Sequence, residues 1–160
     1  FLVCGNRTKR GFMLRRYTFW LWAAVVFQFL TAGFHAMSLF VRPEPANETE
    51  RQLMLLTTTY HLDAGAGFHP TFSNLFTALS SCFSFVCLLG GLVNAYLLRK
   101  KAEAGLVKGV TGINLIIFGG VFAVMALFTF LPPIICTALI FACLIFAFVL
   151  NRNNAGGSTT

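Results

Sequence analysis

Charged residues are scarce in this sequence, and acidic ones most of all. Only 11% of the 160 residues are charged, five are acidic, and 57% are apolar. A soluble domain is ordinarily about 25% charged and about 45–50% apolar. The composition therefore excludes a water-soluble globule, and its apolar content excludes a disordered chain. An integral membrane protein with a single domain fits both the composition and the length.

Several chemical motifs are missing too. The five cysteines include no C-x-x-C, so neither a zinc site nor a thioredoxin-like redox pair is indicated. No glycine loop for phosphate is recognisable, and no acidic residue lies within the long apolar runs, which argues against a proton-coupled pump. Without a recognisable catalytic motif, a non-catalytic protein is favoured over an enzyme.

Four long apolar runs dominate the sequence. They cover residues 17–41, 70–98, 110–131 and 134–150, and a membrane-crossing helix needs roughly 17–25 residues. Pro132-Pro133 is expected to break the chain between the last two runs, because proline lacks a backbone donor. The predicted fold is an all-α, antiparallel four-helix transmembrane bundle over residues 17–150, with a tight hairpin at the two prolines.

The basic residues predict the orientation of the four runs. Ten of the twelve lie in 1–16, 99–108 or 151–160, whereas the outer loop 42–69 holds four of the five acidic residues. Because basic residues favour the cytoplasmic side, the N-terminal segment 1–16 and the tail 151–160 are predicted to be cytoplasmic. The charge then reflects topology, not nucleic-acid binding. Met13-Leu14-Arg15-Arg16 looks like a natural start, so residues 1–12 are expected to be either an upstream extension or a segment added by cloning.

The outer loop is predicted to contain one short amphipathic surface helix. Asn47 stands three residues before Glu50, a pattern typical of a capping box. Leu53, Leu56 and Tyr60 then recur at helical spacing. We expect a helix over about residues 48–60.

Small and polar residues recur within the runs at alternating steps of four and three. A repeat near 3.5 residues predicts left-handed helix crossings, lined by small and weakly polar side chains. Gly109, Gly112, Gly119, Ala123 and Ala126 form a looser version in the third run, where Phe118 is expected to face lipid or a partner. The predicted interhelical polar stripe consists of Gln28, Thr31, Ser73, Thr77, Ser80, Ser84 and Asn94.

All three histidines are expected near the outer face. His35 lies seven residues before Arg42, and an ionisable group inside a membrane span is a candidate functional residue. One reading is that His35, His61 and His69 bind a haem or another tetrapyrrole, or that these three and Asp63 hold a metal ion. The other is that His35 bonds a neighbouring hydroxyl and the rest stabilise a loop and a cap. No specific ligand spacing decides between them.

Two short segments carry a resemblance to a known group of proteins. They are Gly33-Phe34-His35 at the end of the first run and His61-Leu-Asp-Ala-Gly-Ala-Gly-Phe-His69-Pro-Thr71 before the second. In these, the chain resembles a family of small, uncharacterised bacterial four-helix inner-membrane proteins. The resemblance implies four spans and a bacterial inner membrane, and it implies no chemistry.

Three functions are therefore open. The first is a non-catalytic membrane protein that contacts the lipid bilayer and acts as an accessory subunit of other membrane proteins or as a homo-oligomer. The second is a haem-, pigment- or metal-binding subunit that uses the outer histidines. The third is a small-molecule channel or transporter along Ser73, Thr77, Ser84 and Asn94.

Overall fold

Five α-helices make up most of the described chain. The computed structural model describes residues 17–41 and 44–155. The helices are α1 (Tyr17–Ser38), α2 (Glu48–Thr59), α3 (Phe72–Arg99), α4 (Ala104–Phe128) and α5 (Leu131–Ala155). The predicted N-terminal segment with its start at Met13, residues 42 and 43, and the last five residues of the tail lie outside the described residues.

Four of these helices are long and apolar enough to cross a membrane. The segments are Tyr17–Met37, Phe72–Arg99, Ala104–Phe128 and Leu131–Asn151. The prediction that the four apolar runs form helices long and apolar enough to span a membrane is confirmed. Over the described residues the protein is therefore all-helical, and its four apolar helices are compatible with an integral membrane protein.

The connection between α3 and α4 is shorter than the sequence suggested. Just after the end of α3 at Arg99, Lys101 has a positive φ of 49°, and Ala102 N donates back to Leu97 O at 3.0 Å. Backbone bonds of this kind close a helix C-terminus. α4 begins at Ala104, six residues before the expected start, and Lys108 therefore lies on a helix rather than in a loop.

The predicted break at Pro132-Pro133 is wrong in its position. α4 ends at Phe128, Thr129 N donates to Met125 O at 3.1 Å, and both prolines belong to the first turn of α5. The first-turn backbone N–H groups have no intrahelical acceptor, so proline loses no bond there and its fixed φ suits the helix. The two prolines start a helix, and Thr129-Phe130 makes the connection.

The helix predicted in the outer loop is confirmed at Glu48–Thr59. Asn47 Oδ1 accepts a hydrogen bond from Glu50 N at 2.9 Å, and Glu50 Oε2 accepts from Ala46 N at 2.7 Å. The second bond reaches one residue further back than in a standard capping box. Both bonds satisfy backbone donors at the start of α2.

The described residues separate into two compact units. One combines the chain up to Thr31 with the chain from Cys87 onward, and the other is Ala32–Val86. The first unit holds the beginning of α1, the end of α3, and all of α4 and α5. The second holds the end of α1, α2, and the beginning of α3.

Glycine and phenylalanine make the close contacts of the first unit. A Cβ atom at Gly112 would lie 3.2 Å from Phe148 Cε2, and one at Gly119 would lie 2.9 Å from Phe141 Cε2. On α1, Trp20 packs on Phe146 with ring centroids 4.6 Å apart.

One expectation about phenylalanine is corrected here. Phe118 was expected to face lipid or a partner, but it is only 1% exposed and belongs to the core. The outward position on α4 is taken by Ile116, which is 78% exposed. The small Gly90 on α3 leaves room for the Phe118 ring, which explains why so large a side chain is accommodated inside.

Candidate functional site: a buried chain of amides

Three amide side chains form a hydrogen-bonded chain inside the first unit. Asn114 Nδ2 of α4 donates to Asn94 Oδ1 of α3 at 3.0 Å, and Asn94 Nδ2 donates to Gln28 Oε1 of α1 at 3.3 Å. All three residues are buried. Each amide offers two donor hydrogens and one carbonyl acceptor, so one side chain can bond two neighbours. Asn94 occupies the centre and links three helices.

Glycine at position 90 of α3 allows Gln28, at one end of the amide chain, to approach this helix closely. A Cβ atom there would lie 2.6 Å from Gln28 Nε2 and 2.8 Å from Phe118 Cε2. Both distances are shorter than ordinary contacts, so only glycine fits without a shift. The next residue, Gly91, is a second small position and faces the Phe29 ring of α1.

The amide chain ends in an unused donor. Among the described residues Gln28 Nε2 has no hydrogen-bond partner, although the residue is fully buried. A buried donor without a partner ordinarily costs about 1–3 kcal/mol. Two groups of the protein, Gly90 and the Phe118 ring, occupy the space beside it.

A second buried amide lies near the connection between α3 and α4. Asn151 Nδ2 of α5 donates to the Ala104 backbone carbonyl at the start of α4, at 3.1 Å. Its Oδ1 atom has no partner within the part of the chain that the structure describes. This amide also joins two helices, and neither it nor the amide chain can act as an acid or base near neutral pH.

The members of the predicted polar stripe have different surroundings. In the first unit Gln28, Thr31 and Asn94 are buried. In the second unit Ser84 is buried, Ser73 and Ser80 are half-buried, and Thr77 is exposed. Ser84 Oγ donates to Ser80 O of its own helix at 3.2 Å. The structure thus brings Gln28 and Asn94 into direct contact, whereas the Ser84 hydroxyl bonds within α3.

Sequence reasoning missed the third amide. It predicted that the glycine and alanine positions of α4 line the helix contacts, but three of these residues are exposed, namely Gly109, Ala123 and Ala126. The buried residues of α4 are instead Val107, Thr111, Asn114 and Phe118. They follow the same alternation of four and three, and a polar amide inside an apolar run was a signal that could have found them.

All three histidines lie in the second unit, and two of them are in contact. His61 Nδ1 lies 2.6 Å from His69 O, and both residues are exposed. Asp63 Oδ1 accepts from Gly65 N at 3.0 Å, while the His35 ring packs edge-on against Phe83 at 4.8 Å. Among the described residues, no three histidine, cysteine or carboxylate side chains are close enough to hold a metal ion.

Backbone hydrogen bonds also fold the segment from His61 to Thr71 into a closed loop. Leu62 N donates to Pro70 O at 2.9 Å, and Ala64 N donates to Phe68 O at 3.1 Å. Three successive residues at its tip have positive φ, of 78° at Gly65, 52° at Ala66 and 80° at Gly67. Glycine adopts such values at little cost, which accounts for the two glycines around Ala66.

The fold and the buried amides define a general class, an integral membrane protein with four apolar helices and polar contacts between helices. Comparison with models of protein families, with curated proteins and with solved structures finds no match for this chain.

Proposed function

We propose that the chain is a non-catalytic integral membrane protein that works by packing against other membrane helices. In this proposal its four long helices form an antiparallel, left-handed bundle, and the bundle is a homo-oligomer or an accessory subunit of a larger assembly. The hydrogen-bonded amides of Gln28, Asn94 and Asn114 are the main support. In lipid, small residues and interhelical hydrogen bonds hold helices together, because apolar side chains gain little by leaving apolar surroundings.

The surface of α3 supports the proposal that this helix contacts a protein partner as well as lipid. Thr77 and Ser81 lie on this membrane-span-capable helix, where Thr77 is exposed and Ser81 is half-buried in the single chain. Ser81 Oγ donates to Thr77 O at 2.7 Å. Small hydroxyl side chains are enriched where membrane helices pack closely, so this face is suited to a second helix.

We propose a bacterial inner-membrane location, and the distribution of charge supports an orientation with both termini in the cytoplasm. The short connection between α3 and α4 carries the exposed Lys100 and Lys101, next to the exposed Arg99. The α2 segment carries Glu48 and Glu50 against Arg51. Basic residues close to span ends favour the cytoplasmic side. Reporter fusions at positions 102 and 64 test this: the first is expected inside the cell and the second outside, and the reverse result overturns it.

The oligomeric state is the direct test of the function. The protein is purified in mild detergent, and the protein mass of the particle is measured by light scattering with mass spectrometry of co-eluting chains. A multiple of 17.6 kDa, or a companion in fixed ratio, is expected. A particle that contains one 17.6 kDa chain alone contradicts the proposal.

Two variants test whether the association occurs through the exposed face of α3. Thr77→Phe adds bulk at the exposed hydroxyl of α3 and is expected to reduce association. Ile116→Phe adds a ring at an exposed apolar position of α4 and serves as the matched control. Equal loss of association in both variants would show that the α3 face has no special part in it.

A further inference from the structure

Polarity changes along the axis of α2. Its first turn carries Glu48, Glu50 and Arg51, with Arg51 Nε donating to Glu48 Oε2 at 2.7 Å. Both partners of this ion pair are exposed. From residue 52 to residue 60 the sequence contains no charged side chain. One end of this short helix is therefore suited to water and the other is not.

The hydroxyl groups at the uncharged end bond to their own helix. Thr57 and Thr58 donate to Met54 O at 3.0 and 2.8 Å, and Thr59 donates to Leu55 O at 2.7 Å. A hydroxyl that bonds to a carbonyl of the preceding turn needs no water. Polar groups satisfied within the same segment are what an apolar environment requires. Three consecutive threonines are thus compatible with a position at the boundary of the hydrocarbon.

The same end exposes large apolar side chains on one face. Leu53, Leu56 and Tyr60 are 60%, 58% and 57% exposed, and their spacing of three and four places them together along the helix. α2 has no buried residue among those described. Tyrosine with an apolar ring and a polar tip is typical of the interface between water and membrane.

The adjoining chain limits what can cover this face. α2 is connected by segments 39–47 and 60–71 to α1 and α3, both of which are membrane-span-capable. Each connecting segment exposes a phenylalanine, Phe40 in the first and Phe68 in the second. Since α2 is tied at both ends to helices that end at a membrane surface, the bilayer is the apolar surface within its reach.

We propose that α2 is an oblique interfacial helix, with Leu53, Leu56 and Tyr60 inserted among the lipid headgroups and upper acyl chains and the Glu48–Arg51 turn in water. An amphipathic helix can bury its apolar face at this depth without spanning the membrane. The proposal rests on the membrane insertion of α1 and α3 described above. As a consequence, α2 is in direct contact with the lipids of the outer membrane surface.

Spin-label depth measurements test this in the full chain in phosphatidylcholine nanodiscs. A nitroxide is attached through a genetically encoded ketone residue at position 56, 58, 48 or 89, so the cysteines stay in place. Oxygen concentrates in the bilayer and a nickel chelate stays in water, so their collision ratio reports depth. Position 56 is on the apolar face, 58 on the opposite face, 48 in the charged turn, and 89 in the exposed middle of α3.

The expected oxygen-to-nickel ratio is several-fold higher at position 56 than at 48, lower at 58 than at 56, and highest at 89. A water-like ratio at 56 with a lipid-like ratio at 89 overturns the interfacial helix and leaves membrane insertion intact. Low access of both reagents at 56 also overturns it, because a protein would then cover the face. A water-like ratio at 89 contradicts membrane insertion and the interfacial helix together.

A pair of full-length variants provides a second readout that does not depend on the label. Leu56→Glu places a charge on the apolar face, whereas Thr58→Glu places the same charge on the opposite face. We expect amide hydrogen exchange of residues 53–60 to accelerate several-fold in the first variant and much less in the second. Equal acceleration in both contradicts the insertion of one face.

Discussion

Amide side chains join helices in the first unit of this chain, whereas hydroxyl groups in both units donate to carbonyls of the preceding turn, as Thr129 and Thr137 do in the first unit. In the first unit, the amides of Gln28, Asn94 and Asn114 bond to one another across three helices, and Asn151 bonds to the start of α4. In the second, hydroxyl groups donate to carbonyls three or four residues earlier, at Thr57, Thr58, Thr59, Ser81 and Ser84. The first arrangement joins separate helices, whereas the second completes a single helix.

This difference has a consequence for stability. An amide that links helices loses its partner when the helices separate, so its bond contributes to tertiary structure. A hydroxyl that bonds to its own helix keeps that bond when a neighbour is removed. The amide contacts of the first unit should therefore be sensitive to small changes, and the hydroxyl bonds of the second unit should tolerate them.

The largest effect is expected at Gly90. Gly90→Ala would place a Cβ atom 2.6 Å from Gln28 Nε2 and 2.8 Å from Phe118 Cε2. Overpacking of this kind costs about 1–3 kcal/mol, and here it would also push Gln28 away from Asn94. The free energy of unfolding in mixed detergent micelles measures the loss.

Gly120→Ala is the matched control for Gly90→Ala. Among the described residues, nothing lies within 4 Å of a Cβ atom at that position, which is exposed on α4. We expect no loss of stability from this control. If the two substitutions change the free energy of unfolding equally, the close approach at Gly90 does not hold the first unit together.

A smaller effect is expected when the central amide is removed. Asn94→Ala removes both hydrogen bonds of Asn94 and leaves Gln28 Oε1 and Asn114 Nδ2 without these partners. Interhelical side-chain bonds in membranes average about 0.6 kcal/mol each, so a loss of roughly 1 kcal/mol is expected in the same assay. Asn74→Ala, on the exposed part of α3, should cost much less, and an equal cost would contradict the structural role of the amide chain.

The sequence predicts those features that depend on neighbouring residues. Composition and run length predict four long apolar helices, and the spacing of Asn47 and Glu50 predicts the start of α2, since the capping groups are three residues apart. Pro132 and Pro133 were misplaced because proline is compatible both with a break and with a first turn. The neighbouring residues allowed both readings, and only the structure shows that α5 begins at Leu131.

The buried amide chain was harder to predict because its partners are far apart in sequence. Gln28 and Asn94 were recognised as buried polar residues, but their pairing depends on how α1 and α3 pack. Asn114 was missed because the glycines of α4 suggested a different buried face. Two of those glycines, Gly112 and Gly119, do contact phenylalanines of α5, so α4 uses one face for amides and another for close packing.

Ser84→Ala tests whether a hydroxyl bond within one helix of the second unit contributes little to stability. Ser84 is buried in the second unit, and its hydroxyl donates to Ser80 O of α3. Because Ser84→Ala removes only a bond within one helix, we expect a change within about 0.5 kcal/mol in the free energy of unfolding. A loss as large as that of Asn94→Ala would show that the Ser84 hydroxyl is more than a local bond and would remove the distinction between the two units.

The smallest effect is expected from pH, at the charged turn of α2. Hydrogen bonds from Arg51 and then Gln52 lower the pKa of Glu48 below its ordinary value of 4.5. A group with a lowered pKa in the folded state stabilises the fold above its unfolded pKa and loses that contribution as the pH falls through its folded pKa. The first turn of α2 should therefore loosen as the pH falls below about 4.5, seen as faster amide exchange or shifted amide resonances at Arg51 and Gln52.

Glu48→Gln should remove this step, and added salt should weaken it because the pair is exposed and screened. Since the bonds are local, the amide chain of the first unit should not respond over the same pH range. A simultaneous loss of protection around Asn94 would contradict the separate behaviour of the two units.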